Sequence, residues 1–494
     1  MFRLFIFSLP IIIIAEPNIL WFKEFNGTGE ESIGHYVLNC DDNGFLQVGE
    51  TYDYSNSSSK IFIVKIDSNG ELIWSREIHD GEHNLGNSAI ELNDGYLISG
   101  SLDQNSALIK LEKETGTTVL IETFDNGGTD AFEHATSTPA GIVAVGYVYA
   151  EDPLNTFYTE GQGYIMFLDN NGNELFSQNL SEYIDQSYRV EYVNHELVIS
   201  GLSEGASDFK VIKMSLDGNI IWHYSYGGEN EEHCFGMDVN DNGDIFLAGH
   251  TTSETDNWDT YTIKINNDGE LLWDRTVGNP RGFNPEFIHD EAWGIKATND
   301  GGCVTIAGTG DEYDEYSECN GEDCSDIWNA YLIKFNNDGD INWQKTFSSN
   351  DVSEETYDWA GEAIDLTNDG GAIIAIDNGQ FGFLRLNNIQ NMLLNEFEIE
   401  TPMFFRISDN YPNPFNPITN LRYELSNDSF VNLTVHDILG NKIKNLVNAD
   451  QSSGHKSIQW DATNNRGEIM PAGLYIYKIQ VNDLFQTRKM VLLK

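Results

Sequence analysis

The sequence predicts an all-β chain in two parts, a seven-bladed β-propeller followed by a small Ig-like β-sandwich. Three observations carry this. A tight turn followed by a short strand and a large apolar side chain recurs through the first four hundred residues. A second turn recurs seven times in step with it. Near residue 400 both stop, and a proline-dense stretch opens a different set of strands.

The first element is not part of either domain. Met1 and Arg3 give a short positive start, Leu4 to Ile14 is apolar apart from Ser8 and Pro10, and Ala15 precedes Glu16. This is the pattern of a cleaved secretory signal, residues 1–15. No later stretch is long and apolar enough to read as a transmembrane helix.

Residues 16–399 hold the repeats. The clearest copies of the first turn read KIDSNGELIW ending at Trp74, KMSLDGNIIW at Trp222, KINNDGELLW at Trp273 and KFNNDGDINW at Trp343, with weaker copies ending near Leu120 and at Phe176. Asp, Asn and Gly tolerate the backbone of a tight hairpin, so Gly70, Gly172, Gly218, Gly269 and Gly339 mark connections between antiparallel strands. An aromatic side chain four residues on, at one offset in every unit, is placed to wedge between neighbouring repeats. The second turn precedes a strand that carries a glycine in most copies: DDNGFLQVG at Asp41, LNDGYLISG at Leu92, TPAGIVAVG at Thr138, VNHELVISG at Val193, NDNGDIFLAG at Asn240, NDGGCVTIAG at Asn299 and NDGGAIIAI at Asn368. Between the two turns lie IFIVKI, ALIKL, YIMFL, VIKM, YTIKI, YLIKF and FGFLRL, again seven. Each unit therefore holds about four short strands, and such units stack radially. An open array would expose sheet edges. The segment Ile19 to Phe25, ILWFKEF, is an outer strand without a unit of its own and can complete the last blade; Leu393 to Ile399 competes for that edge.

The glycine followed four residues later by tryptophan, with ETG at Glu114 to Gly116, resembles the tryptophan-docking repeats of quinoprotein dehydrogenases. The resemblance covers the turns and implies architecture only. That family resembles an eight-bladed ring with an adjacent cysteine pair beside its quinone, whereas this chain has seven units and no adjacent cysteines.

After a linker at 400–408, residues 409–494 form the second domain. YPNPFNP at Tyr411 to Pro417 is too rich in proline for a central strand and reads as an extended entry. Five strand-like pieces follow, TNLRYEL, VNLTVHDI, HKSIQW, LYIYKIQV and TRKMVLLK. Val431, Leu433 and Val435, and Tyr475, Tyr477 and Ile479, alternate with polar neighbours as a sandwich core requires. YPNPFNP, VHDILGNKI, WDATNNRG, AGLYIYKI and the terminal KMVLLK, in that order, are similar to the C-terminal sorting domain of the type IX secretion system, itself related to the Ig-like module of flagellar hook-capping proteins. The resemblance implies passage across a Gram-negative outer membrane by that machinery, and a secreted or cell-surface location.

The formal charge of −52 excludes nucleic-acid binding most firmly, because such a surface repels phosphates. From Asp409 onward there are nine basic and eight acidic side chains, so the excess lies on the repeats. It favours cations, or serves as a self-repelling exterior. The acidic loop Gly310 to Asp326 offers Asp311, Asp314, Glu318 and Asp323 as calcium ligands, although its spacing matches no EF-hand. Cys319 and Cys324 in the same loop are candidates for a local disulfide, while Cys40, Cys234 and Cys303 read as buried hydrophobes. The repeated DxNG turns carry too few carboxylates to be calcium loops. His83, His134, His233 and His289 each lie beside an acid shortly before an inner strand, and would ligate a metal or do acid/base chemistry only if they met at the channel mouth. No nucleophile elbow, zincin motif or phosphate loop is present. The sequence thus points to a non-enzymatic binding module for a glycan or protein, with no cofactor beyond calcium; the alternative is an extracellular carbohydrate-active hydrolase or lyase with acids at the channel mouth.

Overall fold

In the computed structural model, which describes residues 16–150, 161–170, 172–203, 208–283, 285–310, 327–390, 405–407, 410, 413–425, 429–437, 442–452, 454–481 and 484–493, the two recurring turns close hairpins at the same end of each repeat. The reason is local. Asp67 accepts hydrogen bonds from the backbone N–H groups of Asn69 (2.8 Å) and Glu71 (2.9 Å), and Gly70 takes a φ of 82° that a side chain would resist. The signal segment, residues 1–15, lies outside the described residues.

Seven four-stranded antiparallel sheets result. Blades 1 to 6 run Glu31–Ile78, Asn84–Phe124, Thr129–Asn179, Gln186–Tyr226, Glu232–Val277 and His289–Phe347. Blade 7 takes three strands from Ala360–Leu386, and its fourth is Ile19–Phe25, whose Phe25 pairs with Phe381 and Phe22 with Leu384. The N-terminal segment therefore closes the ring; Leu393 to Ile399, its competitor, lies outside the described residues. Each innermost strand packs against those of both neighbouring blades, the seventh against the first. Accordingly the core is not one mass: among the described residues the seven largest clusters of the ring are each shared by two adjacent blades.

Two devices tie blade to blade and strand to turn. Trp74 of blade 1 lays its ring on Gly116 in the turn of blade 2 and donates its indole N–H to the Lys113 carbonyl at 3.0 Å; Trp273 does the same to Gly339 and to the Asn337 carbonyl, also at 3.0 Å. Where the indole is absent or faces elsewhere, another group covers the glycine: Leu120 over Gly172, Phe176 over Gly218, Tyr224 over Gly269. The second device is a buried cation on the third strand, paired with an acid of the first hairpin. The pairs are Lys65 with Asp42, Lys213 with Glu196, Lys264 with Asp244 and Lys334 with Asp300, at 2.8 to 2.9 Å, with Arg385 and Asp369 at 2.6 Å. Lys110 and Asp94 form a more exposed version. In blade 3 the hairpin Thr138–Gly141 has no acid, and the cation is missing as well: Phe167 stands there, stacked on Phe176 at 4.1 Å. Charge and countercharge are lost together, as desolvation demands.

The chain divides after Leu393, and the second unit is a separate body. Its sheets are Phe405–Ile407, Thr419–Leu425 and Gly454–Trp460 on one side, and Lys442–Gln451, Ser429–Asp437, Gly473–Val481 and Leu484–Leu492 on the other. Val431, Leu433, Val435, Tyr477 and Ile479 are fully buried around Trp460, as the alternation requires. Two strands were not legible in the sequence. Lys442–Gln451 is an edge strand with no buried residue, so its polar KIKNLVNADQ shows no apolar alternation. Phe405–Ile407 lies inside the stretch 400–408 read as linker, yet pairs with Thr419–Leu425. Among the described residues no helix is long and apolar enough to cross a membrane.

Candidate binding cup in the central channel

Each innermost strand carries a β-bulge at the same place, and that of blade 3 has a second slip between Thr129 and Ala131. The register slips between Gly34 and Tyr36, Gly86 and Ser88, Phe132 and His134, Ser187 and Arg189, Cys234 and Gly236, Ala292 and Gly294, and Gly361 and Ala363. The extra residue of a bulge leaves the ladder and re-aims its side chain. Those residues, His35, Asn87, Glu133, Tyr188, Phe235, Trp293 and Glu362, all line a single cavity of about 70 Å³, together with Leu85 and Arg189.

The glycines of the second strands make this possible. In blades 1 to 5 a Cβ on Gly49, Gly100, Gly146, Gly201 or Gly249 would stand 1.6 to 2.0 Å from a carbonyl oxygen of the bulged strand. The recurrent glycine is thus the mark of the bulge, and counting across to its partner would have located the channel side chains from sequence.

The ring is two-sided. Blades 4, 5 and 6 supply a continuous aromatic arc, with Tyr188 5.0 Å from Phe235 and Phe235 4.5 Å from Trp293 between ring centroids. Blades 7, 1, 2 and 3 supply Glu362, His35, Asn87 and Glu133. Behind the arc, His250 packs on Trp293 and Trp258, and its Nε2 is 3.3 Å from His233 Nδ1. Burial holds both imidazoles neutral, His233 down to about 4 and His250 well below its ordinary value, the latter also through its histidine neighbours.

The floor is one residue deeper. Arg189 reaches over the Tyr36 ring, 5.9 Å from its centroid, and donates to the Tyr188 carbonyl at 2.9 Å. The matching positions in blades 5, 6 and 7 are Gly236, Gly294 and Ala363, which leave the channel open to the guanidinium. Tyr36 meets His134, whose Nδ1 lies 3.1 Å from the Val190 carbonyl. Burial depresses His134 to about 3. Deeper still, Lys296 sits 3.8 Å from Asp238 and 3.6 Å from Asp365, which hold its ammonium charged despite its burial.

Burial dominates the carboxyl groups of the cup. It pushes Glu362 up to about 8, helped by Asp377 and opposed by His35, and Glu133 up to about 7 against the pull of Arg189 and His35. Burial would lower His35, but Glu50, 3.9 Å away, together with Glu362 and Asp377, leaves its imidazole raised. Neither Glu133 nor Glu362 has a hydrogen-bond or ion-pair partner among the described residues.

Of the histidines singled out in the sequence, none lines the cup: His134 is in its floor, His233 is behind the aromatic arc, His289 pairs with Glu291 at 3.1 Å, and His83 precedes the first strand of blade 2. Asp311, Asp314, Glu318 and Asp323, like Cys319 and Cys324, lie outside the described residues. Among the described residues no three metal-ligating side chains are grouped to hold an ion. Cys40, Cys234 and Cys303 are buried and unpaired.

The model of the FlgD Ig-like domain matches residues 418–483. The C-terminal unit is an Ig-like domain of the FlgD type. No curated protein sequence matches this chain. Among solved structures, virginiamycin B lyase from Staphylococcus aureus, in complex with quinupristin, is 11% identical over 75% of this chain and 99% of its own, with a TM-score of 0.48. The Dos1 propeller is 10% identical over 74% and 95%, with a TM-score of 0.41. PorZ, a surface component of the type IX secretion system of Porphyromonas gingivalis, is 9% identical over 94% and 82%, with a TM-score of 0.21. At these values nothing about chemistry transfers, and the propeller assignment stands on the sheets themselves.

Proposed function

We propose that this protein is exported to the exterior of a Gram-negative cell, with the Ig-like domain as its type IX sorting label, and that the propeller there binds a small ligand in its channel cup without transforming it. What supports binding is the convergence of seven bulged side chains, an aromatic arc facing a polar one, in a single cavity. A flat ring face of a ligand stacks on the arc, while Asn87, His35 and the two carboxyls bond its polar edge. A catalytic apparatus needs acid and base within reach of each other. Glu133 and Glu362 come from blades 3 and 7, with His35 and Asn87 between them, and neither bonds to another cup residue.

One observation favours the hydrolase or lyase reading. Glu362, raised to about 8, is protonated at neutral pH and could serve as a general acid. Incubating the mature protein with a panel of oligosaccharides decides between them: saturable binding lost in Trp293→Ala, with no product, is expected, and turnover abolished by Glu362→Gln would refute the binding reading. Export is tested by deleting residues 405–494 and fractionating the host cell; the truncated protein is expected in the periplasm, and its appearance outside would remove the sorting role. Calcium at Asp311, Asp314, Glu318 and Asp323 belongs to the same proposal and predicts a melting temperature that rises with millimolar calcium and falls with chelator.

A further inference from the structure

We infer that the channel cup selects an organic ammonium group, an amine on a carbon body no larger than one sugar ring or a short alkyl chain, with the nitrogen paired to Glu362 and the carbon body against the Tyr188, Phe235 and Trp293 arc that begins on the next blade. The inference rests on the cup being a binding site and names the class of ligand it takes.

Charge accounting comes first. The ionisable groups lining the cavity are Glu133, Glu362, His35 and Arg189. Fully charged, these four groups cancel, the two carboxylates against Arg189 and the raised His35, so the negative excess comes from the acids behind the lining. Arg189, over Tyr36 in the floor, opposes the rise of Glu133 without cancelling it. Around the acidic side the field is negative: Asp377 and Glu291 face Glu362, and Glu50 faces His35. The chain as a whole carries −52, so an approaching anion is repelled and a cation is drawn in.

The second argument is energetic. Desolvation keeps the two carboxyls partly protonated near neutral pH, and an ammonium that enters displaces that proton and pairs with the carboxylate left behind, so its affinity should rise with pH as the cost of ionising the group falls. An aromatic wall attracts the same charge through its ring faces, and more strongly when water is excluded. Size sets the limit. A cavity of about 70 Å³ has room for roughly five water-sized probes, which admits an amine head and one small body.

Matched probes test this on the full mature chain: glucosamine against glucose, and n-butylamine against 1-butanol, by titration calorimetry at pH 7.5 in two buffers of different ionisation enthalpy. At least one amine is expected to bind tenfold or more tighter than its neutral partner, with release of a fraction of a proton as Glu362 ionises. Glu362→Gln, close in shape, is expected to erase that preference while still melting cooperatively at pH 7.5. The two amines separate an amino-sugar ligand from an alkylamine. Equal binding of glucose and glucosamine, unaffected by Glu362→Gln but lost in Trp293→Ala, would overturn the ammonium inference and leave the binding cup standing. No heat with any probe, and no protection of Trp293 from quenching, would overturn both.

Discussion

The Lys334 strut of blade 6 offers the sharpest test of how the ring is held together. Its side chain is fully buried, and Nζ donates to Asp300 Oδ1 at 3.0 Å and Oδ2 at 2.8 Å and to the Phe335 carbonyl at 2.7 Å. Lys334→Ala removes all three bonds and leaves a carboxylate facing a void. Breaking a buried pair from one side costs about 3 to 5 kcal/mol. Here Asp300 is 15% exposed and keeps bonds from the Thr298 hydroxyl and the Gly302 N–H, which puts the loss near the lower end, about 3 kcal/mol. Blade 3 shows the remedy, since its Phe167 position and acid-free hairpin do without the pair. Lys334→Met combined with Asp300→Ala should therefore recover at least half of that loss, because no charge is then left buried. Urea unfolding followed by tryptophan fluorescence, with both singles and the double in one cycle, measures this. A Lys334→Ala cost below about 1 kcal/mol, or a double variant no better than the single, would refute the reasoning.

Three further outcomes follow from the same structure. Stability should peak between about pH 5 and 6.5. Glu133, Glu191 and Glu362, raised by burial to about 7, 7 and 8, keep protons that the unfolded chain has lost, so their contribution fades as pH rises through 8. His134 and His233, lowered by burial to about 3 and 4, stay neutral where the unfolded chain protonates, so stability is lost as pH falls below about 6.5. Melting temperatures across pH 4 to 9 check both limbs, and Glu362→Gln must flatten the alkaline one. Gly116→Ala should cost at least about 2 kcal/mol in denaturant titration, since the residue has a φ of 64° and the new Cβ would lie 2.5 Å from the Trp74 ring. Removing residues 17–25 strips the fourth strand from blade 7 and uncovers Phe381–Leu386 together with Trp359, against which Phe22 packs at 4.5 Å. Size-exclusion chromatography should then show association through the bare edge, and a monomer of unchanged melting temperature would count against closure by that strand.

Much of the architecture is written locally. The turn glycines and the aromatics after them are set by backbone conformations that hold wherever the turn occurs, so Gly70 and Trp74 could be read without any partner in view. The core of the Ig-like unit was equally plain, because Tyr475, Tyr477 and Ile479 alternate on one strand. Lys442–Gln451 escaped because an edge strand without buried residues leaves no apolar period. The lysine struts escaped for a different reason: Lys65 and Asp42 lie 23 positions apart, and each alone reads as a surface charge.

The cup was the least legible feature. Its seven residues, His35, Asn87, Glu133, Tyr188, Phe235, Trp293 and Glu362, share no residue type, so no motif repeats, and the histidines that drew attention in the sequence stand elsewhere. What they share is a slip in register, and a slip exists only relative to the neighbouring strand. Repeat number, turn chemistry and the strand count of the repeats thus follow from the order of residues, because each depends on a few successive dihedral angles and on one-strand periodicity. The channel's aromatic and acidic halves, the raised carboxyls of Glu133 and Glu362 and the closure by Ile19–Phe25 belong to the tertiary structure, because burial and field arise only when seven sheets converge on a common axis.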